Sequence, residues 1–268
     1  MHGMGMIRKI AVALGLTVVA GAALTAAVVS GREPSLAREW ADDVRVLSGV
    51  EALPGGAVRL TEVRDWRYSR DSVVSKAYVA VRYDPADVRG LWLYEQELGL
   101  GGRIAHTFLV FEFPESYGPV RWLGLSVETR REVGESYSLI GGVLKAFEVT
   151  HIWANEEDLV TRRVELLDYP LTRYRVSVPK EYVGRIFKQF VDETAALAVS
   201  PRWYNTLTTN CTSALIAYVN EAEPGAIPWH YSFVLTGQAD TYLARLGYLD
   251  AVSSQPITRA WLAANPLR

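Results

Sequence analysis

The sequence is poor in residues that bind soft metals or form crosslinks. Cys211 is the single cysteine of 268 residues, and there are four histidines. A disulfide within the chain is therefore excluded, as is any thiolate metal cluster built by one copy. There is no HExxH, no pair of cysteines and no histidine pair at helical spacing, so a zinc signature is missing. Also missing are a phosphate loop of the GxxxxGK type and a GxSxG elbow. Neither sign of charge is in excess: 28 Lys and Arg against 30 Asp and Glu leave a net charge of −2, with the basic residues scattered. That argues against nucleic-acid binding by bulk charge. The expectation is a protein with no metal, no cofactor and no nucleic-acid partner. With 49% hydrophobic and 22% charged residues the chain is globular in composition, without internal repeats or low-complexity stretches beyond its N-terminus.

Long apolar runs are confined to one place. Arg8 and Lys9 precede residues 10–29, which carry no charge. At about 1.5 Å per residue, twenty residues reach about 30 Å, the thickness of a bilayer's hydrocarbon core. The run reads as an uncleaved transmembrane anchor. In the alternative, a signal peptide, Ala20-Gly21-Ala22 supplies the small-residue cleavage site. Either way the remainder is exported, since the positive-inside bias keeps Arg8 and Lys9 in the cytoplasm. The expected organisation is a cytoplasmic tail (1–9), an anchor (10–30), an amphipathic helix and linker (31–56) and a periplasmic catalytic domain (57–268). Such a protein spans the inner membrane once. The helix is inferred from Leu36, Trp40, Val44 and Leu47 at helical spacing, and Pro54-Gly55-Gly56 breaks the chain.

Segments rich in β-branched and aromatic residues follow, at 58–66, 73–83, 88–94, 105–113, 121–128, 144–153 and 174–178. A short helix at 157–167 interrupts them. Helical patterns then occupy 180–199 and 211–221, with short helices near 240–246 and 258–264. Strands followed by helices predict an α+β fold, an antiparallel sheet with helices packed to one side.

The chemistry concentrates where polar, cap-forming residues run into the helix that starts at Cys211. In a first helical turn, unpaired backbone N–H groups and the dipole favour a thiolate. They also offer donors to an oxyanion. Cys211 is thus either a nucleophile or a small buried core residue. A thiolate needs a base. His106, just after the Gly99-Leu100-Gly101-Gly102 loop, is best placed. His151, inside a predicted strand, reads as structural, and His230 belongs to an aromatic loop beside Trp229. Glu128, on the strand expected to pair with that of His106, suits the role of fixing the imidazole's tautomer. Glu112 fits less well. Strand-end salt bridges are the alternative for both carboxylates.

Together, IAHTFLVFEF (104–113), SVETRREVGESYS (126–138), the FEV and NEEDLVTRR segments and WYNTLTTNCTSAL (203–215) resemble the Lnb N-terminal periplasmic domain family. That family is associated with bacterial lipoprotein N-acyltransferase. The resemblance spans residues 64–249. The order of histidine, acidic strand residue and Asn-Cys at a helix start also resembles circularly permuted papain-like acyltransferases. The resemblance implies Cys211 as nucleophile, His106 as base and Glu128 near them. It further implies supporting roles for Asn210, Tyr204, Asn205, Arg130, Glu132, Glu135 and Tyr137. The run Trp229-His230-Tyr231 departs from the Trp-Asp-Trp-like run expected there, which sets aside a catalytic His230 and leaves Trp229 and His230 as cleft-wall candidates.

The activity implied is transfer of a fatty acyl chain from a membrane phospholipid, through a Cys211 thioester, to the N-terminal amine of a diacylglyceryl-cysteine apolipoprotein. Two other classes remain open: a cysteine peptidase, amidase or phospholipase using the same dyad, and a non-catalytic membrane-anchored scaffold with an inert Cys211.

Overall fold

A computed structural model describes residues 21, 27, 29–99, 101–250 and 254–267. Most of the predicted anchor at 10–30 lies outside the described residues. Among those described, no helix is long and apolar enough to cross a membrane. Contacts divide the chain into residues 1–35 and 36–268. In the first unit, the Gly31 amide closes a helical turn on the Ala27 carbonyl.

The second unit is built on a nine-stranded sheet. Its strands are β1 (Gly49–Ala52), β2 (Val58–Arg64), β5 (Tyr78–Tyr83), β6 (Gly90–Gly99), β7 (Ile104–Glu112), β8 (Trp122–Arg130), β9 (Glu148–Asn155), β10 (Leu171–Arg175) and β11 (Gln255–Ile257). Their order is β1-β2-β9-β8-β7-β6-β10-β11, with β5 also on β2. A separate hairpin pairs β3 (Arg67–Tyr68) with β4 (Val73–Ser75). The helices are α1 (Asp42–Arg45), α2 (Leu139–Val143), α3 (Glu156–Thr161), α4 (Lys180–Val199), α5 (Cys211–Ala222), α6 (Ala239–Arg245) and α7 (Arg259–Ala264).

The fold is α+β, but the sheet is mixed rather than purely antiparallel. β2 meets β9 in parallel at Arg64 and Ala154. The buried Arg64 side chain is what fixes that junction: it binds Asp158, in the helix directly after β9, at 2.7 Å. The Asp158 carboxylate also accepts the Trp66 amide at 2.8 Å. The helices likewise occupy both faces of the sheet, not one. Leu93, Leu109, Phe111 and Leu125 pack against α4 and α5 on the first. On the second, Tyr94, Phe108 and Val110 join Leu159 and Val160 of α3 and Leu262 of α7. The inner strands are covered on both sides, which is why β7 and β9 read as nearly continuous apolar runs. In α4, Val183, Ile186, Phe187, Phe190, Val191, Thr194 and Leu197 form the buried stripe.

Two expected elements differ. The helix anticipated within 31–56 is helical only at Asp42–Arg45. Residues 39–41 pair instead with the segment just after β8: Ala41 donates to the Arg131 carbonyl at 2.9 Å and Val133 to that of Glu39 at 2.8 Å. The Trp40 ring is buried beneath the Arg130 guanidinium, 4.2 Å away. The strand anticipated at 144–153 starts late, at Glu148, after α2 and a left-handed Lys145. It ends on Asn155, whose side chain caps α3 through the Asp158 amide.

Removing one partner of a buried ion pair strands the other. Asp158→Ala is expected to lower unfolding free energy by about 3–5 kcal/mol, measured by urea titration. A loss under about 1 kcal/mol, the range of exposed pairs, would show that the pair does not hold the β2–β9 junction.

Candidate active site

β7 and β8 pair antiparallel as far as Phe108 and Ser126. One pleat further the same register sets His106 opposite Glu128, where the ladder has ended. Helix α5 packs on both strands there and brings its first residue, Cys211. The helix is held by Asn210, whose side-chain carbonyl accepts the Thr212 and Ser213 amides, both at 2.9 Å. The Ser213 hydroxyl returns the favour by accepting the Asn210 amide, closing a capping box. The Asn210 side-chain NH2 donates to the carbonyls of Thr206 at 2.9 Å and Phe233 at 2.7 Å.

The capping changes the expectation for an oxyanion site. The amides of Thr212 and Ser213 are already engaged by Asn210, leaving the Cys211 amide, which donates to no group among the described residues.

The imidazole of His106 is fixed through Nε2, which lies 2.8 Å from Ser126 Oγ and 3.2 Å from Glu128 Oε1. Ser126 gives its own proton to Glu128 Oε1 at 2.7 Å. Its oxygen must therefore accept from His106, so Nε2 carries the hydrogen and Nδ1 is left for the sulfur. Arg163 completes the group. It is fully buried, donating to Glu128 at 3.0 Å, to Ser126 at 3.2 Å and to the Leu159 carbonyl at 2.9 Å. Its guanidinium lies 4.4 Å from the centre of the Phe108 ring.

These contacts set the charges. Burial alone would push the Cys211 thiol up, but the His106 charge and hydrogen bond outweigh it, and the Thr107 amide helps, so the thiol falls below its ordinary value. Burial pulls His106 down, yet Glu128 and then Cys211 raise it to about 9. For Glu128, burial is overcome by His106 and by Arg163 and Arg162, which hold it well below the usual carboxylate range. The shifts run in the direction of a thiolate–imidazolium pair.

Cys211 and His106 both line a cavity of about 340 Å³. Arg131 and Arg162, each bound to Asp43 at 2.8 and 3.0 Å, form part of one wall. Leu98, Tyr137, Leu139, Leu167 and Tyr169 line it as well, each partly exposed. The sulfur is thus buried but faces a mixed polar and apolar space.

The supporting residues divide. Tyr204 lines the cavity and meets Tyr137 edge-on at 6.3 Å. Asn205 builds the preceding turn by accepting the Leu207 amide at 2.9 Å. Arg130 and Glu132 lie away from the cavity: Arg130 donates to the Val44 and Arg45 carbonyls, and Glu132 pairs with Arg38 at 2.9 Å. Glu135 caps the Glu132 amide. Trp229 is 77% exposed, and the His230 ring stacks on Tyr242 at 4.0 Å. Neither joins the cluster. His151 is a core residue bonded to Thr194 at 2.9 Å, with burial pulling it down to about 3. Glu112 faces Arg175 at 4.0 Å.

Sequence reasoning missed Ser126 and Arg163. Both belong to segments that carried the resemblance, but a hydroxyl two residues before Glu128 and an arginine on a helix have no spacing rule of their own. Thr236 was missed too: it donates to the Ala105 carbonyl and accepts the Ala105 amide, tying a loop to the start of β7.

Residues 75–241 match the family model of the Lnb N-terminal periplasmic domain. The match takes in more than half of the sequence, including His106, Ser126, Glu128, Arg163 and Cys211.

The chain belongs to that family.

The Lnb N-terminal domain is by its description periplasmic. No curated protein and no solved structure gave a match.

Replacing Glu128 by Gln removes the charge that raises His106. The His106 pKa is then expected to drop from about 9, and Cys211 alkylation by iodoacetamide at pH 7 to slow by about tenfold or more. The parent protein should keep its rate well below the pH at which a free thiol is mostly protonated. An unchanged rate in Glu128→Gln would place that carboxylate outside the pair.

Proposed function

We propose that this Lnb-family domain is a cysteine-dependent acyltransferase acting at the membrane. The reading rests chiefly on one observation: a cysteine at a helix start shares a cavity with an imidazole whose far nitrogen is fixed by a carboxylate. The order of these groups, and the sheet with α5 packed on it, resemble a circularly permuted papain-like arrangement.

In the first step the Cys211 thiolate attacks the carbonyl carbon of a phospholipid's fatty acyl ester. The Cys211 amide receives the developing oxyanion. As the tetrahedral species collapses, the C–O bond breaks and the leaving oxygen takes the imidazolium proton of His106. A lysophospholipid departs, leaving a thioester on Cys211 and a neutral imidazole. In the second step the amine of a diacylglyceryl-cysteine at an apolipoprotein's N-terminus attacks the thioester. His106 takes the amine's proton, the C–N bond forms, the C–S bond breaks, and the thiolate–imidazolium pair returns.

The cavity's mixed lining supports a lipid ester over a peptide. Cationic Arg131 and Arg162 suit a headgroup, while Leu139, Leu167 and Tyr169 suit apolar surface of the lipid outside the transferred chain. An anchor at residues 10–30 would confine the site to the plane that holds both substrates.

With labelled phospholipid and a diacylated lipopeptide, the parent protein is expected to form N-acylated product. Cys211→Ala and His106→Ala should each lower the rate by more than ~10³-fold. Because the leaving oxygen needs the imidazolium proton, the rate should also fall on the alkaline side near pH 9, the region to which His106 is raised. Release of free fatty acid without N-acylated product would make the protein a phospholipase. Cleavage of a muropeptide would make it a peptidase. Undiminished transfer by Cys211→Ala would remove the mechanism altogether.

A further inference from the structure

A second cavity, of about 500 Å³, lies on the other side of the first turn of α5. It lies between the sheet face formed by Leu93 and Leu109, one side of α5 with Leu215, Ile216 and Val219, and Leu243 of α6, and it opens to the surface where Pro224 and Gly225 are exposed. Its lining is aliphatic almost throughout. The one charged residue on it, Glu223, lies at the far end and is bound by Arg185. Protein interiors seldom keep voids larger than a water molecule, so a space of this size and lining is suited to an apolar occupant.

Two threonines stand between this space and the sulfur. Thr107 and Thr212 line it, both are buried, and their hydroxyls lie 3.0 Å apart. Thr212 Oγ1 is 3.9 Å from Cys211 Sγ, and the Thr107 amide faces the same sulfur. From Thr212 the cavity follows α5 to Glu223, roughly 16 Å at about 1.5 Å per residue. About 500 Å³ of space along that length is ample for an extended alkyl chain.

We propose that this cavity is the binding site for the alkyl chain of the acyl group carried on Cys211, with the Thr107–Thr212 pair where it adjoins the sulfur and the Glu223 end leading out to the surface. The inference rests on the acyltransferase reading and adds to it a specificity for long, unbranched chains. The chain enters past the threonines with its carbonyl left at the sulfur, so the headgroup side and the tail side of the lipid are read in separate spaces.

Two measurements separate this inference from the reading beneath it. In the first, Cys211→Ala protein, which cannot form a thioester, is titrated with the fluorescent fatty acid cis-parinaric acid. Binding is expected, with palmitate displacing the probe far better than octanoate. Adding Ala226→Phe, which fills the far end, should weaken probe binding by about tenfold or more. In the second, protein with Cys211 intact is incubated with palmitoyl and octanoyl thioester donors, and the adduct on Cys211 is weighed by intact-mass spectrometry. Ala226→Phe should shift the palmitoyl-to-octanoyl ratio by about tenfold toward octanoyl. Leu243→Phe should shift it the same way, which guards against misfolding of one variant. Probe binding without an adduct from any donor would reject the acyltransferase reading while keeping an alkyl-chain site. Absence of probe binding, or a chain-length ratio unmoved by both substitutions, would overturn the proposal.

Discussion

The buried guanidinium of Arg163 is the constraint on which the site depends. It comes from the turn after α3, on the face of the sheet opposite α5, and reaches Glu128 and Ser126 at once. A carboxylate held there as an anion can keep a cation opposite it, and that cation is His106. The imidazolium in turn draws the thiol below its ordinary value. Each charge is justified by the next, from one face of the sheet to the other. Such a chain is worth more in a shielded interior than in water, where each member would be screened separately. The hydrogen-bond direction follows from it too: Ser126 spends its proton on Glu128, and so the imidazole must present Nε2–H to Ser126.

The same arrangement explains why β7 and β8 separate where they do. If the ladder continued past Phe108 and Ser126, the strand ends would have no opening for α5. Ending it there leaves a gap into which the helix brings its first residue. The bulky covering of both sheet faces makes the gap rigid, since β7, β8 and β9 are locked in register on either side of it. The fold therefore positions two side chains from neighbouring strands and one from a helix without relying on a long loop.

Much of this could be read from the sequence, and the exceptions have physical causes. The long helix at Lys180–Val199 shows its period plainly, because a stripe of seven buried side chains repeats over about four turns. The start of α5 was visible in its capping residues, and the pairing of the His106 and Glu128 strands in their sequence neighbourhood. The parallel contact of β2 with β9 was not visible, since a single pair formed by Arg64 and secured by Asp158 leaves no mark in the strand pattern. Residues 36–41 carried a helical wheel, but a bridge from Trp40 to Glu132, just past β8, overrode the local period. Arg163 escaped notice because a buried arginine looks in sequence like an exposed one. Arg130 and Glu132, singled out by resemblance, hold the N-terminal edge of the domain in place.

Asn210 does more than start a helix. Its amide group also clasps the loop before it and the segment ending at Phe233, so three stretches of backbone meet at one side chain. Rotation of α5 about its own axis would tear all of these contacts together. The sulfur is consequently a fixed post rather than a swinging arm, and any reactant must travel to it, from whichever side it arrives.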